Sequence, residues 1–288
     1  MLPVAFRHYQ HLVTVPVCVG LTEARFAVDT GAGVTLLSKA LAERVGFVPR
    51  DRKFSGRRMS GQEVTAPLGS ISSLSLGNFR RDELTVGLFD LGEVPGLEEI
   101  EGFLALDFFR STPVTFDYPG GVIVPEDAES LVVRAEVGIA VDVRLRVDSC
   151  TVEVFLAIEI PRRGAVLVEV DTGSDSVIWN EALVSSAGID LAAESTRQVE
   201  GRDETGHAYT RYFARMRGDV SITGAPTIRR GDPEVMVQNI IYDGLVGDAV
   251  LRNFIVTYDV PNARMIFAAV PRALGELGSG PELTDTFC

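Results

Sequence analysis

The sequence predicts a mostly β protein made of two related lobes. Each lobe carries a D-T-G loop, a flap-like hairpin and one or two short helices. Two observations predict this. The tripeptide Asp-Thr-Gly occurs twice, at 29–31 and 171–173, inside segments that match at a nearly constant shift. In both copies the tripeptide follows a pair of apolar, alternating segments joined by turn residues, the signature of a β-hairpin.

The repeat extends well beyond the tripeptide. FAVDTGAGVTLLS (26–38) matches VEVDTGSDSVIWN (168–180) at a shift of 142 residues, which also carries Ser38 to Asn180, Leu41 to Leu183 and Gly46 to Gly188. The same shift lays EGFLALDFFRSTPVTFDYP (101–119) on DGLVGDAVLRNFIVTYDVP (243–261). Between these blocks SGRRMSGQ (55–62) matches EGRDETGH (200–207) at 145, so the second copy gains three residues and then loses them. A single D-T-G is a plausible strand-end turn, since Asp and Gly suit turns. Two copies in register inside matching blocks point to a duplicated, fused chain.

Taken in order, LVTVPVCV (12–19), a break at 20–22 and ARFAVD (24–29) form the first hairpin. VFLAIEI (154–160), a turn at 161–164 and AVLVEVD (165–171) form its counterpart. Ser38 and Asn180 are good helix N-caps, and Gly46 and Gly188 sit where a terminating glycine belongs. Short helices are therefore expected over 38–46 and 180–188. Ser60-Gly61 and Thr205-Gly206 are turn dipeptides in polar stretches, suited to hairpin tips. LSLGNF (74–79), ELTVGLF (83–89), ARMRGDVSI (214–222) and EVMVQNIIY (234–242) read as strands. Residues 126–150 have no match upstream of the first hairpin; 126–130 reads as a connection and 141–147 as an extra strand. The expected division is a first lobe over 1–125, a connection over 126–140, a second lobe over 141–274 and a frayed tail over 275–288.

Composition bounds the function. The chain has 288 residues, 46% of them hydrophobic and 23% charged, and is long enough to bury a core without staples. Forty acidic residues against 27 Lys and Arg give a net charge of −13, which argues against a nucleic-acid partner. No apolar run approaches a membrane span. No charged and apolar leader opens the chain, so a cytoplasmic location is expected. Cys18, Cys150 and Cys288 show neither metal spacing nor a disulfide framework. His8, His11 and His207 read as ordinary residues, Trp179 as core, and Asp107, Asp117, Asp248 and Asp259 as caps or turn formers. No cofactor or metal is expected.

The run F-A-V-D-T-G-A, a short helix, a glycine-bearing hairpin and a later apolar-apolar-Gly segment resemble the retropepsin-like aspartic proteases. Leu245-Val246-Gly247-Asp248 and 253–268 look like that family's closing block, and VDTGSDSVIW echoes the pepsin-like branch. The resemblance implies acid-protease lobes related by a pseudo-twofold, both in one chain, with one D-T-G loop from each meeting at the floor of a cleft. It implies Asp29 and Asp171 as catalytic acids, Thr30 and Thr172 bonding across to the opposite loop, and Gly31 and Gly173 leaving room for the backbone. Ala32 and Ser174 complete the loops. Met59, Ser60 and Gly61, with Thr205, Gly206 and His207, are the candidate flap residues. The sequence departs from the family at Ala105, where the second copy has Gly247.

Two carboxylates held together cannot both ionise, so the pair shares a proton and can activate a water. Ser174 can donate toward its acid and Ala32 cannot, so Asp171 is expected to carry more of the negative charge. The expected activity is an aspartic endopeptidase acting on extended or unfolded polypeptide, active as a monomer. The rival is a catalytically weak or inactive peptide- or protein-binding module using the same cleft. Retention of both acids with both Thr-Gly pairs favours the enzyme, because buried like charges are costly; Ala105 favours the rival.

Overall fold

The computed structural model describes residues 1–90, 97–202 and 207–269. Thr205, Gly206 and the expected tail lie outside the described residues. The described chain is mostly strand and forms three sheets. One eight-stranded sheet is built from residues 7–104, and one of ten strands from residues 144–246. A six-stranded sheet takes strands from both halves, in the order Val4–Ala5, Val122–Pro125, Val114–Asp117, Phe254–Asp259, Arg264–Ala269, Ile139–Asp142.

The hairpins form where alternation places them. In Leu12–Val19 the valines at 13, 15, 17 and 19 point into the core, and the turn to Thr22–Val28 passes through Gly20 at φ +61°. Val152–Ile160 and Gly164–Val170 repeat this arrangement. The second strand of each hairpin then pairs in parallel with a three-residue strand, Gly102–Leu104 or Gly244–Val246. That short strand pairs antiparallel with the one following the D-T-G loop, Leu36–Ser38 or Val177–Asn180. Glycine is required at 102 and 244. A Cβ there would lie 2.5 Å from Leu36 O and 2.8 Å from Ile178 O respectively.

The central sheet relates the halves. Val114–Asp117 pairs antiparallel with Phe254–Asp259, and Thr115 faces Thr257 with hydroxyls 2.7 Å apart. These two residues are separated by 142, the repeat shift, so each faces its own counterpart. The outer strands follow suit: Val4 pairs Ile123 and Val141 pairs Met265. Residues 139–142 thus occupy the place of 4–5, and Arg144–Val147 pairs the following strand as Arg7–Tyr9 does. The segment 141–147 is therefore two strands in two sheets rather than one extra strand.

Ser38 caps Lys39–Arg44, whose residues are all good helix formers. At 180–188 only Glu181–Leu183 forms a single 3-10 turn, because Val184, Ser185 and Ser186 are weak helix formers. LSLGNF spans a turn at Gly77, φ +58°, rather than one strand. The stretch 126–140 contains a ten-residue helix, Ala128–Val137, capped by Asp127 with Ser130 and burying none of its side chains.

Candidate active site

The hairpin strands deliver both D-T-G loops to one place. Asp29 N–H donates to Leu104 O and Asp171 N–H to Val246 O, each at 3.0 Å. Thr30 Oγ1 donates to Val170 O at 2.7 Å and accepts from Thr172 N at 3.0 Å. Thr172 Oγ1 donates to Val28 O at 2.9 Å and accepts from Thr30 N at 3.1 Å. Each hydroxyl thereby uses its donor and an acceptor site across the junction, and both threonines are fully buried. Four reciprocal bonds fix the loops against one another.

The carboxyl groups lie within this lock. Gly31 N–H donates to Asp29 Oδ1 at 2.9 Å and Gly173 N–H to Asp171 Oδ1 at 2.8 Å. A Cβ on Gly31 would be 2.6 Å from Asp171 Cγ, and one on Gly173 2.8 Å from Asp29 Cγ. Each acid therefore packs over the opposite loop's glycine, and the two carboxyls lie within hydrogen-bond reach of each other. Burial, and then the neighbouring charge of Asp171, hold the Asp29 carboxyl well above the ordinary aspartate range. Burial raises Asp171 too, but N–H donation from Gly173 and Gly31 and the hydrogen bond with Asp29 oppose it. Burial thus favours the neutral form of both acids, and the pair retains a proton between them.

The Ser174 hydroxyl does not reach Asp171 as expected. Its Oγ accepts from Ser176 N at 3.4 Å and makes no hydrogen bond to Asp171 among the described residues. The donors that favour charge on Asp171 are the N–H of Gly173 in its own loop, then the Asp29 carboxyl and the N–H of Gly31, reaching across from the other loop. Ala32 contributes a long N–H bond, 3.4 Å, to Asp29 O, as Ser174 N does to Asp171 O at 3.3 Å.

Ala105 and Gly247 sit beneath the two loops in different ways. Gly247 N donates to Ser176 O at 3.0 Å, and a Cβ there would be 2.2 Å from Ser174 O. In the first half the loop turns away through Gly33, φ +71°, and Ala105 N donates instead to Thr35 Oγ1 at 3.3 Å. Thr35 is in turn fastened by buried Asp107, whose Oδ1 accepts from Thr35 N, Thr35 Oγ1 and Phe108 N. Burial nonetheless pushes Asp107 up to about 6. The added methyl is absorbed in the loop, and the bonds at Asp29 match those at Asp171.

Of the candidate flap residues, Met59, Ser60 and Gly61 form the tip between Val48–Arg57 and Glu63–Leu76, closed by Gly61 N to Arg58 O at 2.8 Å. The tip reaches the other half: Ile241 N donates to Met59 O at 2.9 Å, and Met59 packs against Ile178, Met236, Ile240 and Leu245. The hydroxyl of Ser60 is buried without a partner. The strands of the second hairpin keep the register, with Arg202 facing Ala208 as Arg57 faces Glu63, and His207 is exposed.

Several residues at the site were missed by pattern alone. His11 Nε2 lies 3.1 Å from Gly173 O, so the first hairpin supports the second loop. Val152 N reciprocates by donating to Gly33 O at 3.1 Å. Glu169, two residues before Asp171, is a buried acid in an otherwise apolar strand, and that contrast was visible in VLVEV. Among the described residues no group of His, Cys, Asp and Glu is placed to hold a metal ion. Among them, too, no helix is long and apolar enough to cross a membrane.

A family model described as aspartyl protease matches residues 15–108, which include the first D-T-G loop and hairpin tip. A search of curated proteins finds no match to the chain. Among solved structures the chain is similar to the crystal structure of basic 7S globulin from soybean, at 11% sequence identity over 93% of each chain with a TM-score of 0.53. The chain has a mostly β, pepsin-like aspartic protease fold, and the family match supports aspartic protease function in general.

Proposed function

We propose that the chain is an aspartic endopeptidase that hydrolyses peptide bonds in extended polypeptide through a water held between Asp29 and Asp171. The observation that carries this reading is the reciprocal Thr30–Thr172 lock, which holds two half-buried carboxyls against each other. Two such acids in a low-dielectric site retain one proton between them. Asp171, charged, takes a proton from the water as its oxygen attacks the scissile carbonyl carbon. Asp29 gives its proton to the carbonyl oxygen, producing a neutral tetrahedral diol. Asp171 then passes its proton to the nitrogen while a diol hydroxyl returns one to Asp29. The C–N bond breaks to release amine and carboxylic acid, and the shared proton is restored.

The hairpin tip at Met59–Gly61 would cover the bound segment, offering backbone groups to an extended chain and excluding water. Because Met59 O is engaged by Ile241 N, entry of substrate requires the tip to lift. We further infer that the chain arose by duplication and fusion of a retropepsin-like unit, with lobes over 1–125 and 141–274. Contacts recurring at a separation of 142 support this. One chain then supplies both acids and works as a monomer.

The test is digestion of a disordered protein such as casein from acid to neutral pH, with wild type beside Asp29→Asn and Asp171→Asn. Fragments that vanish in both variants are expected. Peptide binding without turnover in the wild type would instead favour the binding module.

A further inference from the structure

The two strands entering the D-T-G loops differ at one cleft-facing position. In Thr22–Val28 the residues Ala24, Phe26 and Val28 face the core, and Val166, Val168 and Val170 do so in Gly164–Val170. Alternation therefore turns Ala27 and Glu169 to the same face as the acids two residues further on. These two positions flank the dyad from opposite halves. Ala27 lies in an apolar cluster with Leu12 and Ile100, against which Phe103 packs. In the second half Glu169, Tyr242 and Leu245 take the places of Ala27, Ile100 and Phe103, and the hairpin register puts Glu153 in the place of Leu12.

Around Glu169 the surroundings are charged and aromatic. Arg146 Nη1 pairs with Glu153 Oε2 at 2.7 Å, and its guanidinium lies 5.0 Å from the centre of the Phe155 ring. Phe155 meets Tyr242 edge-on at 5.3 Å. The guanidinium is shared between Glu153 and Tyr242, and it also acts on Glu169 from a distance. Glu169 is 6% exposed and makes no hydrogen bond or ion pair among the described residues. Burial first, then the charges of Asp171, Glu153 and Asp29, push it up to about 9. Arg146 offsets only part of this, so an acid so placed is neutral when the cleft is empty and has no cation bonded to it.

We propose that Glu169 is the base of a subsite that takes a lysine or arginine side chain of the substrate. The structure thus assigns cleavage with a basic residue on the second-half side of the cut and an apolar residue on the side of Ala27. The assignment rests on the aspartic-endopeptidase reading for its cleavage prediction, though not for binding. An entering cation supplies the missing partner and allows Glu169 to ionise. Tyr242 and Phe155 give the aliphatic stem an apolar wall.

Matched extended peptides differing only in lysine, norleucine or glutamate beside the cut separate the outcomes. Cleavage would be followed by mass spectrometry, and binding by calorimetry on Asp29→Asn. Wild type should prefer lysine over norleucine by about tenfold or more, and Glu169→Ala should reverse that preference. Glu169→Gln, nearly isosteric, should lose it and serves if the alanine variant misfolds. Aspartate-dependent cleavage with no basic preference, or a preference unchanged in both Glu169 variants, overturns the inference and leaves the protease reading intact. If nothing is cleaved, the protease reading fails and calorimetry decides. A tenfold lysine advantage lost in the Glu169 variants supports the subsite, and equal or absent binding overturns it.

Discussion

In the first half, Glu63–Leu76 runs unbroken for 14 residues and pairs with Phe79–Phe89 along most of its length. In the second half the corresponding path is cut into Ala208–Arg215 and Asp219–Ile222, and its partner into Ala225–Gly231 and Glu234–Gln238. Gly218 at φ +109°, Asp232 at φ +44° and Pro233 interrupt the ladders there. Yet the strands below both hairpin tips keep the same register, and both D-T-G loops make the same bonds. A ladder can be cut at a bulge and still bury its side chains. The loop lock cannot be altered on one side alone, because each threonine's partner belongs to the other half. Divergence therefore gathers at the periphery and beneath the loops, where Ala105 stands opposite Gly247.

The sharpest way to break the equivalence of the halves is to remove one acid at a time. Asp29→Asn and Asp171→Asn should each reduce kcat/KM by roughly 10²–10⁴-fold or more, measured on a cleaved peptide. A surviving activity in only one of them would mean the halves are not chemically paired. Next is the position beneath each loop. Gly247→Ala forces a Cβ against Ser174 O and should cost about 3 kcal/mol or more in chemical denaturation, with loss of activity. Ala105→Gly should cost only about 1 kcal/mol, from backbone entropy and a lost methyl.

Glu169 sharpens the comparison through pH. Its folded value of about 9 lies above the ordinary 4.5, so the unfolded chain releases this proton first. Stability from this group is unaffected below about pH 4.5 and declines as pH rises toward 9. Glu169→Gln should flatten that decline, a difference on the order of several kcal/mol between acid and alkaline pH by thermal melts. The smallest effect is expected at the centre. Thr115→Val or Thr257→Val alone strands a buried hydroxyl and should cost about 1–3 kcal/mol, equally on either side. The double variant should cost less than the two singles combined. Unequal singles would show that the pair is not shared evenly between the halves.

Much of this was legible in sequence because hairpin alternation and the D-T-G spacing are local signals. The shift of 142 already laid Thr115 on Thr257. The match of 139–147 to 4–9 was not legible, because there the shift differs from 142 and neither segment keeps a motif. Helical capping at Asn180 was read correctly as a signal, but Asn180 also bonds Ile240 O and Tyr242 O, and the residues after it do not sustain a helix. A serine hydroxyl was expected to favour charge on Asp171, whereas the donors there are the N–H groups of Gly173 and Gly31 and the Asp29 carboxyl, the last two brought near only by tertiary structure. The contact of Met59 with Ile241, and the fastening of Thr35 by Asp107, are likewise long-range and leave no periodic trace.

The exposed helix Ala128–Val137 joins the halves without burying a side chain of its own. As a tether it keeps each half at a high effective concentration for the other, whatever their affinity. It also frees them from sameness. In an assembly of two identical chains, a glutamate at one wall of the cleft would appear at both, and four acids would crowd one junction. With a single covalent strap, positions 27 and 169 mutate independently, so one wall can be greasy and the other ionic. On the proposed reading, asymmetric recognition is open to this chain because one sequence encodes both positions separately, joined through the helix Ala128–Val137.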